Sequence, residues 1–253
     1  MFQILKRSET ELEMLLTEAT PALANSLRRA MLTEVPTMAI EDIEIYENSS
    51  SLYDEILAHR LGLVPLKTDL ENYVLPEDCT CEEDACPSCS LIFILDREGP
   101  GTVFSGDLQS EDPRIFPVSD DIPIVTLAEG ERIRMECRAR LGKGAEHAKW
   151  QPGVVSYRNV HRVEIPEDCS SELVDVCSRG VFTLDDYHVM VKDTTRCNAC
   201  RVCLKVCPEV EIITEEDKFL FMIESNGSLS ADDVFLRALD ALKAKAEEFG
   251  EKI

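Results

Sequence analysis

The chain predicts an α+β fold, and three patterns carry that expectation. Short runs alternate apolar and polar residues along most of its 253 residues. Apolar stripes at helical spacing are confined to a few places, and helix-starting residues stand where those stripes begin. Phe2 and Ile4, then Leu12, Met14 and Leu16, alternate around a turn at Arg7–Thr10 and read as a β-hairpin. Thr20 caps a helix that Pro21 opens, with Leu23, Leu27, Ala30 and Met31 on one face, and Pro36 stops it. Thr37 to Glu47 returns as a strand whose apolar phase breaks between Ile40 and Ile43, which predicts a bulge. Ser51 to Arg60 reads as a second short helix, opened by a Ser51/Asp54 capping box and closed by Gly62.

Extended runs follow at 91–95, 102–105, 122–127 and 131–140. A Gly/Pro-punctuated loop from Gly142 to Gly153 carries the single tryptophan, Trp150, and Val154 to Ile165 is extended again. Lys218 to Ser225 alternates, with Phe219, Phe221 and Ile223 on one side. Ser230 and Asp233 form a capping box for a final helix. Along it Phe235, Leu239, Leu242, Ala246 and Phe249 recur at nearly coiled-coil spacing. Packing on the chain's own sheet and burial under another helix both satisfy that seam; its run to within a turn of the terminus favours a partner.

A net charge of −23 excludes an autonomous nucleic-acid binder, because such a surface repels a phosphate backbone. Solubility and basic partners both account for it. The longest strongly apolar run, Leu91 to Leu95, is far too short for a bilayer, and the first residues lack signal-peptide regions, so a cytoplasmic location is expected. Eleven cysteines in that compartment point to metal ligation rather than disulfides.

Cys197, Cys200, Cys203 and Cys207, followed by Pro208, make the run C-x2-C-x2-C-x3-C-P, the ligand pattern of bacterial-type iron–sulfur ferredoxins. Two-cluster ferredoxins are duplications, and residues 174–182 lie over 204–212 at an offset of thirty. Cys177 then matches Cys207, while the other ligand positions of the first copy hold Glu167, Ser170 and Leu173. One cluster is therefore expected, 4Fe-4S or 3Fe-4S, on Cys197, Cys200, Cys203 and, by cross-ligation, Cys177, with Cys207 as the alternative fourth ligand. Cys169 and Cys207 are left as free thiols or a redox-labile pair. A single cluster suits a structural staple better than an electron relay. A second quartet, Cys79, Cys81, Cys86 and Cys89, fits a structural zinc site, with Glu82, Glu83 and Asp84 adding repulsion were the thiolates left without a cation.

No catalytic constellation is visible. His59 and His147 stand beside no nucleophile arrangement and read as structural hydrogen-bonders. Asp120-Asp121 and Asp185-Asp186 are isolated pairs, not the tight aspartate cluster a catalytic magnesium needs.

Outside the cysteine regions, Asn25 to Leu32, Glu34 to Ile40, Asn48-Ser49-Ser50, Asp54-Glu55, His59 to Leu66 and Gly142 to Trp150 resemble the alpha-type subunits of RNA polymerase. The ferredoxin-like insert points to the archaeal, D-type form of that family. The resemblance implies a discontinuous dimerisation domain over 1–46 and 217–253, an inserted mostly-β domain over 47–165 carrying the zinc loop, and a ferredoxin-like domain over 166–216. It implies a non-catalytic assembly role: pairing with subunit L, then recruitment of the small subunits N and P and of the large, B-type catalytic subunit. It also places Arg28 and Arg29 at a large-subunit interface, and the stripe Phe235, Leu239, Leu242, Ala246 and Phe249 at the dimer interface. The competing expectation, carried by the cysteine run alone, is an electron-transfer or redox-sensing protein.

Overall fold

The computed structural model describes residues 1–81 and 86–252; Glu82, Glu83 and Asp84, expected to crowd the cysteine loop with charge, lie outside them. In chain order the strands are β1 (Phe2–Arg7), β2 (Glu11–Leu16), β3 (Pro36–Asn48), β4 (Ser90–Glu98), β5 (Gly101–Phe104), β6 (Gln109–Ser110), β7 (Pro123–Leu127), β8 (Arg132–Lys143), β9 (Gly153–Glu164), β10 (Phe182–Asp185), β11 (His188–Val191) and β12 (Glu211–Ser225). The α-helices are α1 (Pro21–Thr33), α2 (Asp54–Gly62), α3 (Glu172–Val176) and α4 (Ala231–Glu251). The mixture of helices with several antiparallel sheets agrees with the expected α+β class. The chain divides into two compact units.

The first unit gathers Met1–Arg7, Leu12–Ser26 and Ser156–Met222. Its sheet runs in the order β1-β2-β12-β9. Alternation in β2 buries Leu12, Met14 and Leu16, whereas β1, at the sheet edge, is exposed throughout, including Phe2 and Ile4. Phe219 and Phe221 of β12 are buried; the ring of Tyr157 stacks on Phe221 at 5.3 Å and meets Phe219 edge-on at 5.6 Å. Beyond this sheet lies a small core of Val163, Leu173, Val181, Phe182, Val189 and Val210 that also takes in Cys197, Cys203 and Cys207. α3 and the 3-10 turn Val202–Lys205 begin thirty residues apart, at the offset on which the two segments were aligned. The β10–β11 hairpin is an addition the sequence did not announce. Its turn holds Asp186 and Tyr187 at φ 44° and 69°, the left-handed turn that glycine or asparagine usually supplies.

The second unit gathers Ser8–Glu11, Leu27–Val155 and Ile223–Ile253. Its main sheet is β3-β8-β4-β6, joined by a β5-β7 pair. Strict alternation in β8 buries Ile133, Met135, Cys137, Ala139 and Leu141 against Phe93 and Leu95 of β4 and Leu57 and Leu61 of α2. The bulge expected between Ile40 and Ile43 falls between Ile40 and Asp42. Beneath the Gly142–Trp150 motif lies a packed tryptophan. Arg140 and Lys149 sit over the Trp150 ring at 4.7 and 4.5 Å, and Glu41 pairs with both. A Cβ on Gly142 would fall 2.3 Å from that ring, so only glycine fits.

Two local expectations are corrected, and the cap expected at Ser230 is found. The Ser51/Asp54 capping box does not form: Tyr53 holds the cap position without a side-chain bond. The cause is Asn48. It donates to Leu52 O and Asp54 Oδ1 and accepts from Ser50, tying up the loop so that α2 starts at Asp54. On α1, Leu23 is exposed and Ala24 joins Leu27, Ala30 and Met31 on the buried face. At α4 the Ser230 hydroxyl accepts from Asp233 N and donates to Asp233 Oδ2, so the Asp233 carboxylate bonds the cap hydroxyl.

Candidate metal centres

The loop after the one-turn helix Pro76–Asp78 brings Cys79, Cys81, Cys86 and Cys89 together, with all four sulfurs within 4.8 Å of one another. Cys79 to Cys86 is 3.6 Å, Cys86 to Cys89 3.6 Å, and Cys81 to Cys89 3.9 Å. A tetrahedron with metal–sulfur bonds of about 2.3 Å has edges of about 3.8 Å, and these three separations match that length. The second pair is set by a tight turn, in which Cys89 N and Ser90 N donate to Cys86 O and Cys86 N donates to Cys89 Sγ at 3.3 Å. Cys86 is the readiest thiolate. The Ser88 backbone N–H and the Cys79 thiol bring its pKa down to about 6. The bond to Cys79, followed by burial, pushes Cys81 up to about 12, and burial raises Cys89. The donor set of this loop can bind a metal ion.

The other cysteines form a different arrangement. Cys177, at the end of α3, and Cys197, Cys200 and Cys203 line one cavity walled by Val163, Val181, Phe182, Val202 and Ile212. Between Cys197 and Cys203 the backbone reverses the sign of φ repeatedly, with Ala199 at 54° and Arg201 at 60°. Alternation of that kind turns successive N–H groups into a concavity that suits anions, iron–sulfur clusters among them. Neither position is glycine, so both residues hold a left-handed conformation that the surrounding structure must impose. Burial is the main cause of the raised Cys203 pKa.

Cys207, expected as the alternative fourth ligand, is disulfide-bonded to Cys169, which takes its sulfur out of the donor set. Of the two readings for Cys169 and Cys207, free thiols or a pair, the pair is found. The eleventh cysteine, Cys137, is buried in the sheet core, and that burial pushes its thiol up to about 12. It is packing, not a ligand.

Arg28 is half-buried and Arg29 exposed on α1. On α4 only Ala231, Val234 and Ala238 are buried; Phe235, Leu239 and Leu242 are half-buried, and Ala246 and Phe249 are exposed, Phe249 at 67%. Lys245 anchors the helix to Glu34 at 2.6 Å. His147 Nδ1 accepts from Lys149 N at 3.1 Å, the structural bond expected of it, whereas His59 is exposed and makes no such bond among the described residues. Neither histidine stands in a catalytic arrangement, and among the described residues no helix is long and apolar enough to cross a membrane.

Comparison with known proteins accounts for the scaffold that carries these centres. The RNA polymerase Rpb3/RpoA insert domain matches residues 43–156. A DNA-directed RNA polymerase subunit Rpo3 from Archaeoglobus fulgidus is 41% identical over 255 residues, 99% of this chain and 97% of that protein. The Rpo3 of Methanosarcina acetivorans is 39% identical, covering 97% and 95%, and that of Methanothermobacter thermautotrophicus 40%, covering 96% and 95%. Similarity at this level from one end to the other leaves a single assignment: the chain belongs to the Rpo3 family of DNA-directed RNA polymerase subunits.

Proposed function

We propose that the chain is the assembly platform of its polymerase, pairing with subunit L through a discontinuous dimerisation domain over 1–46 and 217–253. Family membership makes it a non-catalytic core subunit of an archaeal RNA polymerase. The observation that carries the finer reading is the α4 seam. Leu239 and Leu242 are half-buried and Phe249 is exposed, a gradient that a partner helix laid along the distal half of α4 would remove. Arg28 and Arg29 are assigned to the large-subunit interface, and subunits N, P and B to later steps of assembly in the cytoplasm.

The two cysteine sets hold structural metals in this reading. Zinc suits Cys79, Cys81, Cys86 and Cys89, because four thiolates gathered within 4.8 Å of one another can fill a tetrahedral shell and leave no open coordination position. One iron–sulfur cluster suits Cys177, Cys197, Cys200 and Cys203 in a ferredoxin-like domain over 166–216, where bonds to iron would staple α3 to the 197–203 loop.

Co-expression with subunit L and size-exclusion chromatography test the platform. The wild-type chain is expected to elute as a one-to-one complex, and Leu242→Asp with Phe249→Asp to elute alone, still folded by circular dichroism. An intact complex with the double variant would rule out the α4 seam as the pairing surface.

A further inference from the structure

Arg158 is a charged side chain in an unusual position. It projects from β9, is half-buried, and spends its guanidinium on two backbone carbonyls: Nη1 donates to Cys197 O at 2.7 Å and Nη2 to Thr195 O. Among the described residues no carboxylate lies within ion-pair distance of it. Arg97, Arg114, Arg132, Arg140 and Arg162 each find an aspartate or glutamate. Arg29, Arg60, Arg134, Arg138, Arg196 and Arg237, which find none among the described residues, are exposed to water, as Arg158 is not. In a chain with 49 acidic and 26 basic residues, an unneutralised, partly desolvated cation needs a reason. Arg179 and Arg201, both exposed and likewise without a carboxylate among the described residues, line the cysteine cavity itself.

We propose that Arg158 is a positioning residue for the iron–sulfur cluster, locking the ligand loop at Cys197 and supplying part of the cluster's counter-charge. The proposal rests on the cluster reading above. Its geometric half follows from the peptide plane. With Cys197 C=O held by the guanidinium, the N–H of Asn198, a cavity-lining residue, points the opposite way. Thr195 is the middle residue of the turn Thr194–Arg196 that Asp193 caps, since Asp193 Oδ1 accepts from Thr195 N at 2.9 Å, and Arg158 takes up the Thr195 carbonyl that the turn does not use. The fork of a guanidinium holds both carbonyls at once; a lysine ammonium keeps the charge but loses that geometry. The electrostatic half follows from the cluster's charge. Four thiolates around iron and sulfide are net negative, more so when reduced, so a nearby fixed cation favours both binding and the reduced state.

The test uses the full chain purified without oxygen, as wild type, R158K, R158Q and a Cys200→Ser control. Iron per chain, the rate at which cluster absorbance is lost to a chelator, and the midpoint potential in a dithionite titration are measured. R158Q is expected to lose its cluster several-fold faster and to titrate at a more negative potential. R158K should hold a potential close to wild type while still losing the cluster faster, which separates charge from clamp and is not what a general packing defect would produce. Wild-type loss rates and potential in R158Q would overturn the proposal alone. A wild type without iron, or a Cys200→Ser variant that keeps its full complement, would overturn the cluster reading and this proposal with it. Should R158Q fail to fold, an unchanged loss rate in R158K overturns the clamp.

Discussion

The two groups of cysteines are brought together by opposite routes. Cys79, Cys81, Cys86 and Cys89 come from one loop of eleven residues, and their sulfurs converge to within 4.8 Å of one another. Cys177, at the end of α3, and Cys197, Cys200 and Cys203, on a loop twenty or more residues further on, stand around a cavity. The first site hangs beside a core of more than a dozen strand and helix residues that packs without it. The second sits inside a small core in which cysteines themselves are among the buried residues. The lesson is that the local site decorates a fold, while the dispersed site is part of one.

Several experiments break or sharpen that contrast. The largest effect is expected from replacing Cys200 and Cys203 with serine. Iron should be lost, and hydrogen exchange should show β10 and β11 with reduced protection, since Cys203 is itself one of the buried residues of the small core around Leu173 and Phe182. The matching change, Cys86→Ser with Cys89→Ser, should remove one metal ion per chain and leave iron bound. Exchange in β8 should stay slow, because Ile133, Met135 and Leu141 remain packed. Slow exchange lost from β8 would mean that the loop metal also supports the sheet.

A smaller effect is expected inside the same unit. Gly142→Ala puts a methyl group 2.3 to 2.7 Å from three atoms of the Trp150 ring, which Arg140 and Lys149 flank. Overpacking of this kind costs about 1–3 kcal/mol, read as a lowered melting temperature without loss of either metal. The smallest is electrostatic. Hydrogen bonds from Arg114 hold the Asp112 carboxyl well below the usual carboxylate range, and Tyr73 donates to it at 2.9 Å. A depressed folded-state pKa contributes stability above the unfolded value of about 3.9 and loses it as pH falls through the folded value. Asp112→Asn should therefore melt slightly lower than wild type at neutral pH, and the difference should shrink in acid. A difference independent of pH would assign the effect to packing.

Legibility followed the range of the interactions. The Cys79–Cys89 quartet was readable because its geometry is local, and so was the bulge after Ile40, which shows as a phase break in one strand. Cys177 required a longer inference, through the thirty-residue offset, and the structure places it on the same cavity as Cys197, Cys200 and Cys203. What stayed hidden was hidden for physical reasons. The Asp186-Tyr187 turn lacks the glycine that would have signalled it. The α2 cap failed because Asn48, outside the helix, competed for the same groups. Between free thiols and a pair, Cys169 and Cys207 were undecidable from spacing, since tertiary approach settles a disulfide. The exposure of β1, whose Phe2 and Ile4 alternate just as the buried residues of β2 do, depends on what lies next to it, which alternation alone does not encode.

The most direct test of the account is metal analysis of the anaerobically purified full chain beside Cys177→Ser and Cys207→Ser. The wild type should carry one zinc ion and one iron–sulfur cluster; Cys177→Ser should lose iron and keep zinc, while Cys207→Ser keeps both. Iron retained without Cys177, or lost with Cys207, would contradict it.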